Sequence, residues 1–289
     1  MKGAGYEAPS EPARGRRQWR RASSALWTAA GGVAAWAAVT LVAWLLADLV
    51  RGAAPALTWR SLVETTQGLG GGLANAIVGT LWLLFWTALL VAPVGVAAAT
   101  WGMVWATPRL RRAVFLASDV LAGVPSIVFG YVGYLALVIG LGWGFSALAA
   151  AVTLAVLVLP YLVRNAQQAL DAVPRERQEA ALALGFSRAA MVWYVLWPEA
   201  RGGLATGLVL ALGIAMGETA PLLYTAEWSQ SLPTWSLTHH AVGYLTYVVW
   251  AFVQEPYPQA VALAYLAGLL LTVAVGGIAV FTRLGRAAE

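Results

Sequence analysis

Over most of this chain apolar residues run in unbroken blocks instead of alternating with polar ones, and the blocks are long enough to matter for a bilayer. A hydrocarbon core about 30 Å thick takes roughly 20 apolar helical residues per crossing. Six stretches meet that length: Ala22–Leu49, Leu73–Ala106, Ala113–Ile139, Phe145–Val163, Gly202–Ala226 and Ala260–Phe281. The pattern predicts an all-α polytopic membrane protein with six transmembrane helices, because only helices satisfy their own backbone hydrogen bonds one segment at a time in lipid. The second stretch exceeds one perpendicular crossing, so it either tilts or begins as an interfacial or re-entrant piece near Asn75, and Pro93-x-Gly95 is expected to kink it. In the third, Pro125 frees a backbone carbonyl in mid-span while Gly123, Gly130 and Gly133 allow close helix approach. That serves either simple helix packing with a kink or the lining of a pathway that includes Ser126. The short link Gly140–Gly144 makes spans three and four an antiparallel hairpin.

Composition agrees: 60% of residues are hydrophobic, 11% are charged and 15 are Trp. A net charge of +5 raises nucleic acid as a partner, but the placement of the cations answers it. Going from segment to segment between spans, Lys and Arg number 6, 2, 3, 0, 5, 0 and 2. Alternate segments are therefore rich and poor, which puts both termini in the cytoplasm by the positive-inside rule and leaves no nucleic-acid surface. The first apolar run is too long for a signal h-region of about 7 to 15 residues and is expected to stay as an uncleaved helix. Without cysteine there are no disulfides or thiolate metal sites.

The domain organisation follows. Residues 1–21, rich in Gly, Pro, Glu and Arg, read as a mobile basic cytoplasmic tail held partly at the lipid surface, and 22–289 as the transmembrane domain. The first loop, 50–72, is external and anchored by Trp59. Asp119 lies near a membrane edge as a solvated or capping carboxylate. The segment 164–201 is a cytoplasmic loop far longer than a connection needs. In it Asp171 can cap a first turn, Arg175–Ala183 reads as a helix, Gly185 supplies a left-handed or flexible break, and Ser187 can cap a second helix that Pro198 stops. The external segment 227–259 has no Lys or Arg but is rich in Trp, Tyr and Pro, as expected of interfacial helices that also form a landing surface. His239 and His240 are adjacent and lack the i, i+4 spacing of a zinc site.

Within the long cytoplasmic loop stands Glu179-Ala180-Ala181, then Gly185, then Val195, Trp197 and Pro198. This resembles the cytoplasmic signature of the membrane subunits of ATP-binding cassette (ABC) importers, with Trp197 in place of the usual Leu. Farther on, Gly217-Glu218-Thr219-Ala220-Pro221-Leu222-Leu223-Tyr224-Thr225-Ala226, the Gly72–Thr80 stretch with Asn75 and Gly79, and Ala122–Gly130 are similar to the A-type permease subunits of phosphate-specific (Pst-type) importers, over about residue 70 to the C-terminus. The resemblance implies a type I ABC importer permease fold, and a transport subunit that is not an enzyme. It implies a heterodimer with a second homologous permease subunit, two ATPase subunits and an external phosphate-binding protein, in a bacterial or archaeal cell membrane. It also implies that Glu179, Ala180, Ala181, Gly185, Val195 and Pro198 form the element that couples to the ATPase, with the small alanines allowing close approach. No phosphate-binding loop of the G-x-x-x-x-G-K-[ST] type is present, so ATP and Mg belong on the ATPase and this chain carries no cofactor.

Pst-type permeases often have an arginine four residues before the Glu of this motif; here the position is Ile214. Read as helical, Glu218 shares a face with Ala211, Ile214, Ala215, Pro221 and Leu222, none of which can pair with it. A lone intramembrane carboxylate is expensive and points to function by default. Two roles stay open: gating or lining the pathway, together with Gly217, Thr219 and Pro221, or a structural helix-breaking role. Gly213-x3-Gly217 suits close approach to a partner helix. The missing arginine keeps open an importer for another oxyanion, such as sulfate, molybdate or tungstate. An ion-coupled secondary transporter is the remote alternative, and no internal repeat supports it.

Overall fold

The computed structural model describes residues 12–287 and divides into two units, residues 1–51 and 52–289. Helix α1 (Pro12–Ala53) makes up the described part of the first unit, and its last turn opens the second. Of the expected basic tail, residues 1–11 lie outside the described residues, while 12–21 are helical and continuous with the first span.

The second unit starts with a 3₁₀ turn (Ala54–Ala56), the short α2 (Trp59–Val63) capped by Thr58, and a two-residue hairpin of β1 (Thr66–Gln67) with β2 (Gly70–Gly71). Then come α3 (Ala74–Val104), α4 (Pro108–Ala122) and α5 (Ser126–Gly133), the last continuing as a π-helical stretch through Gly140. Next are α6 (Ala147–Asp171), α7 (Arg175–Ala183) and α8 (Arg188–Met191), a second π-helical stretch (Val192–Leu196) and α9 (Trp197–Gly217). Short helices α10 (Ala220–Thr225) and α11 (Leu245–Phe252) lead to α12 (Pro258–Ala287).

Helix α6 is the axis of this unit, packed between α3 and α9 with α4, α5 and α10 also against it, and 67% of its most apolar stretch is buried. Small residues at its start, Ala147, Ala149, Ala150 and Ala151, let neighbouring backbones come close without leaving voids. At one end of α3 the fully buried Asn75 accepts from the Thr66 amide at 2.9 Å and donates to the Ser229 carbonyl at 2.8 Å, tying two distant loops together. One turn later Gly79 lies against the Gly243 carbonyl so closely that a Cβ there would stand 1.9 Å from that oxygen.

Among the described residues, five helices are long and apolar enough to span a membrane, and a bent pair makes six if it counts as one crossing. That pair is the third sequence stretch, and it is no kinked helix: α4 and the 126–140 stretch meet at 95° across Gly123-Val124-Pro125. Pro125 has no amide to donate and its ring pushes Val124 out of the helical region, while Gly123 just before costs little to leave the helix, so the helical ladder ends there altogether. The second stretch is one helix from Ala74, with no separate piece at Asn75. The fourth runs on to Asp171, whose carboxylate accordingly does not cap α7; it accepts from Arg111 at 3.2 Å. Nor does Pro198 stop a helix. The π-helical stretch before it and its place in the first turn of α9 accommodate its missing N–H, and the spanning segment is continuous from Arg188 to Gly217. Asp119 is exposed, as expected of a solvated carboxylate, and it caps no helix: it accepts from Arg164 Nε at 2.6 Å, part of a bidentate pair between α4 and α6.

Candidate functional site

Two places carry the residues singled out by sequence, and α9 joins them. The first is the turn between α7 and α8. Gly185 has φ +87°, a left-handed conformation that a side chain would strain. Around it the amides of Leu184, Gly185 and Phe186 reach back to the carbonyls of Ala180, Leu182 and Ala181, closing α7. Ser187 then accepts from the Ala190 amide at 3.2 Å and starts α8.

The three signature residues on α7 do not share a face. Glu179 and Ala180 are exposed, whereas Ala181 is turned inward, buried in a cluster with Phe115, Leu170, Met191 and Leu196. Ala181 therefore packs inward, whereas the expectation set it beside Ala180 at the approach to an outside partner. The outward surface instead runs through Glu179, Ala180, Leu184 (80% exposed) and Phe186. Val195 packs on the same inner cluster, Pro198 is exposed, and Trp197 does more than replace a leucine: its Nε1 donates to Thr100 Oγ1 at 3.1 Å. Arg177 of α7 forms an ion pair with Glu199 at the start of α9, a link that sequence did not suggest. Beside Glu179 a cleft of about 300 Å³ opens between α7 and the ends of α3 and α6, lined by Met103, Arg111, Asp171, Arg175 and Gln178.

The second place is the far end of α9. Glu218 is not helical: its ψ of 132° is extended, so the fifth stretch breaks between Gly217 and Ala220, and the helical face once assigned to Glu218 does not exist. The break is held from outside. Thr246 Oγ1 donates to the Glu218 carbonyl at 2.9 Å, taking the place of the amide that a continuous helix would supply. The half-buried Glu218 carboxylate has no hydrogen bond or ion pair among the described residues. Pro221 is buried, and its Cα would stand 2.6 Å from a Cβ on Gly130, so α10 and α5 touch backbone to backbone. Ser126 and Thr219 are half-buried at the starts of these two short helices, each just past a break. Gly213 meets Ile278 of α12 within the chain, while a Cβ on Gly217 would meet nothing within 4 Å. Thr246 escaped sequence reading because its partner lies 28 residues away and it sits in no motif.

Residues 91–284 match the model of the binding-protein-dependent transport system inner membrane component. The chain belongs to this family. It is thus a multi-pass inner-membrane transport subunit and not an enzyme. Among its relatives, the phosphate transport system permease protein PstA 2 of Mycobacterium bovis is 43% identical over 266 residues, covering 92% of this chain and 88% of that protein. PstA of Xylella fastidiosa is 38% identical over 71% of each chain, and PstA of Haemophilus influenzae is 30% identical over 93% of this chain and 95% of its own. In fold the chain is similar to a chain of the inward-facing MetNI methionine ABC transporter, with TM-score 0.56 and 24% identity over 75% of this chain and 94% of that one. This inner-membrane component therefore has the type I ABC importer permease architecture, with α6 and α9 at its centre.

Proposed function

We propose that this chain is a permease subunit of an ATP-driven importer for inorganic phosphate. It would pair with a second, related permease subunit, two ATPase subunits that hold ATP and Mg, and an external phosphate-binding protein. Both termini and the 164–201 segment face the cytoplasm, and the aromatic 227–259 segment receives the binding protein outside. The substrate reading rests on the names and close identity of the phosphate permeases among its relatives. The mechanism rests on one observation: an outward-facing α7–α8 turn is anchored in the bundle by Ala181 and continues through α9 into the break at Glu218.

In operation, closure of the ATPase dimer pushes on Glu179, Ala180, Leu184 and Phe186. The α7–α8 element moves as one piece because Gly185, Ser187 and the buried Ala181 leave it little internal freedom. About 30 Å away along α9, at 1.5 Å per residue, the non-helical Gly217-Glu218-Thr219 segment, with Pro221 and Ser126 alongside, forms this subunit's share of the gate. Glu218 is unsuited to bind phosphate as a carboxylate, since like charges in a low dielectric repel; an arginine of the second permease subunit would offset its charge. Ile214 favours a second reading, an importer of the same build for another oxyanion, because no cation stands one turn before Glu218.

The decisive experiment is uptake by the reconstituted complex with its cognate binding protein, comparing phosphate, sulfate, molybdate and tungstate. Phosphate uptake with phosphate-stimulated ATPase is expected; selective uptake of another oxyanion overturns the substrate. For the coupling element, Leu184→Asp and Gly185→Val are expected to lower uptake per ATP hydrolysed at least tenfold while the complex still assembles. Unchanged coupling in both sinks that part.

A further inference from the structure

Helix α4 carries an exposed surface that the proposed coupling and gating elements do not include. It begins with Thr107 capping and Pro108 in the first turn, so its start is fixed, and it stands at 95° to the 126–140 stretch. That stretch contains no charged residue, so where it enters the bilayer α4 lies along the membrane plane. Its inner face buries Phe115 and Ser118, and two of its four charged residues turn toward α6: Arg111 pairs with Asp171, and Asp119 with Arg164. The opposite stripe, at i, i+3, i+4, i+7 and i+11, is Arg109, Arg112, Ala113, Leu116 and Val120, all exposed. Leu116 and Val120 are 59% and 64% exposed, and Arg109 and Arg112 have no ion pair among the described residues. Immediately before, at the end of α3, Trp101 and Trp105 are exposed as well.

We propose that this stripe is an anionic-phospholipid site, with headgroup phosphates on Arg109 and Arg112 and acyl chains along Leu116 and Val120. Three features point to lipid and not to a protein partner. The helix stands at 95° to a stretch without charges, so it lies in the plane of the bilayer when that stretch runs along the normal. Two cations without an ion pair among the described residues stand beside exposed apolar side chains on one stripe, so a headgroup and the chain attached to it can be met together. The neighbouring tryptophans belong at headgroup level. A bilayer containing anionic lipid supplies phosphates to unpaired guanidiniums without a specially placed acidic residue, and guanidinium binds phosphate in two-point fashion.

The test uses the intact purified complex, titrated with phosphatidylglycerol or phosphatidylcholine and read by native mass spectrometry. Wild type is expected to retain phosphatidylglycerol preferentially. Arg109→Gln/Arg112→Gln should reduce that preference roughly 25-fold, from about fivefold per arginine at an anionic surface, with subunit composition unchanged. Arg60→Gln, an exposed arginine in the first loop, serves as the control and should leave the preference intact. Wild-type preference in the double variant overturns the site. So does finding, by cross-linking from Arg112→Cys in this otherwise cysteine-free chain, that the second permease subunit covers the stripe. Lipid retention is read without transport, so the substrate assignment can fail while this site stands, and the reverse.

Discussion

Glu218 is held by its main chain, while its carboxylate has no partner among the described residues. The residue leaves the helix, its carbonyl loses the amide four positions on, and Thr246 Oγ1 fills that role at 2.9 Å. A buried carbonyl left unsatisfied costs about 1–3 kcal/mol, so one hydroxyl decides whether the break is stable. Thr246→Val keeps the shape and removes the donor. It is expected to lower the stability of the complex by about that amount and to depress uptake, while Thr246→Ser restores both; thermal unfolding and uptake of the three proteins check it. Equal behaviour of the valine and serine variants would mean the hydroxyl is idle. At this scale the sequence is legible where the chemistry is local. Gly185 and Ser187 announce a left-handed turn and a cap because only their own φ and near neighbours matter. Thr246, and the inward turn of Ala181, depend on packing partners far away in the chain and leave no mark in the motif.

Among the elements, hydrophobic runs gave away the helices but not their interruptions. Proline is the reason, because its effect depends on what surrounds it. Pro125, in Gly123-Val124-Pro125, ends one helix and starts another at 95°, while Pro198 rides inside a continuous span behind a π-helical stretch. Sequence reading assigned a kink to the first and a stop to the second, and the structure gives a full break and a continuation. The two short helices beyond the breaks, α5 and α10, are fitted together at Gly130 and Pro221. A Cβ on Gly130 would lie 2.6 Å from Pro221 Cα and 3.2 Å from the Ala220 carbonyl, and backbone cannot give way as a flexible side chain can. Gly130→Ala is therefore expected to cost about 1–3 kcal/mol through overpacking, with Gly130→Leu preventing assembly. Gly217→Ala, in open space, should leave thermal stability unchanged within ~0.5 kcal/mol. Any loss of uptake in that variant then reports on the pathway and not on folding. Similar destabilisation by both alanines would remove the case for a tight α5–α10 contact.

At the scale of the molecule, the question is how a push on α7 reaches the break at Glu218. The number of apolar stretches and the alternation of arginines were readable in the sequence because bilayer thickness and charge placement are one-dimensional constraints. Which helices touch is not one-dimensional, and the path of force depends on it. Helix α7 is fastened to the rest in two ways: Ala181 sits in the inner cluster, and Arg177 pairs with Glu199 in the first turn of α9. The ion pair is 56% and 41% exposed on its two sides, so its contribution to stability is about 0–1 kcal/mol after solvent screening. Its value lies in direction instead, because it joins α7 directly to the helix that ends at the break. Arg177→Glu or Glu199→Arg alone sets like charges against each other and should release α7 from α9, lowering phosphate taken up per ATP hydrolysed severalfold with little change in melting temperature. The double reversal restores opposite charges and should recover most of the coupling. A merely decorative surface pair would leave the single variants coupled like wild type, and a pair needed for folding would lower thermal stability in step with uptake.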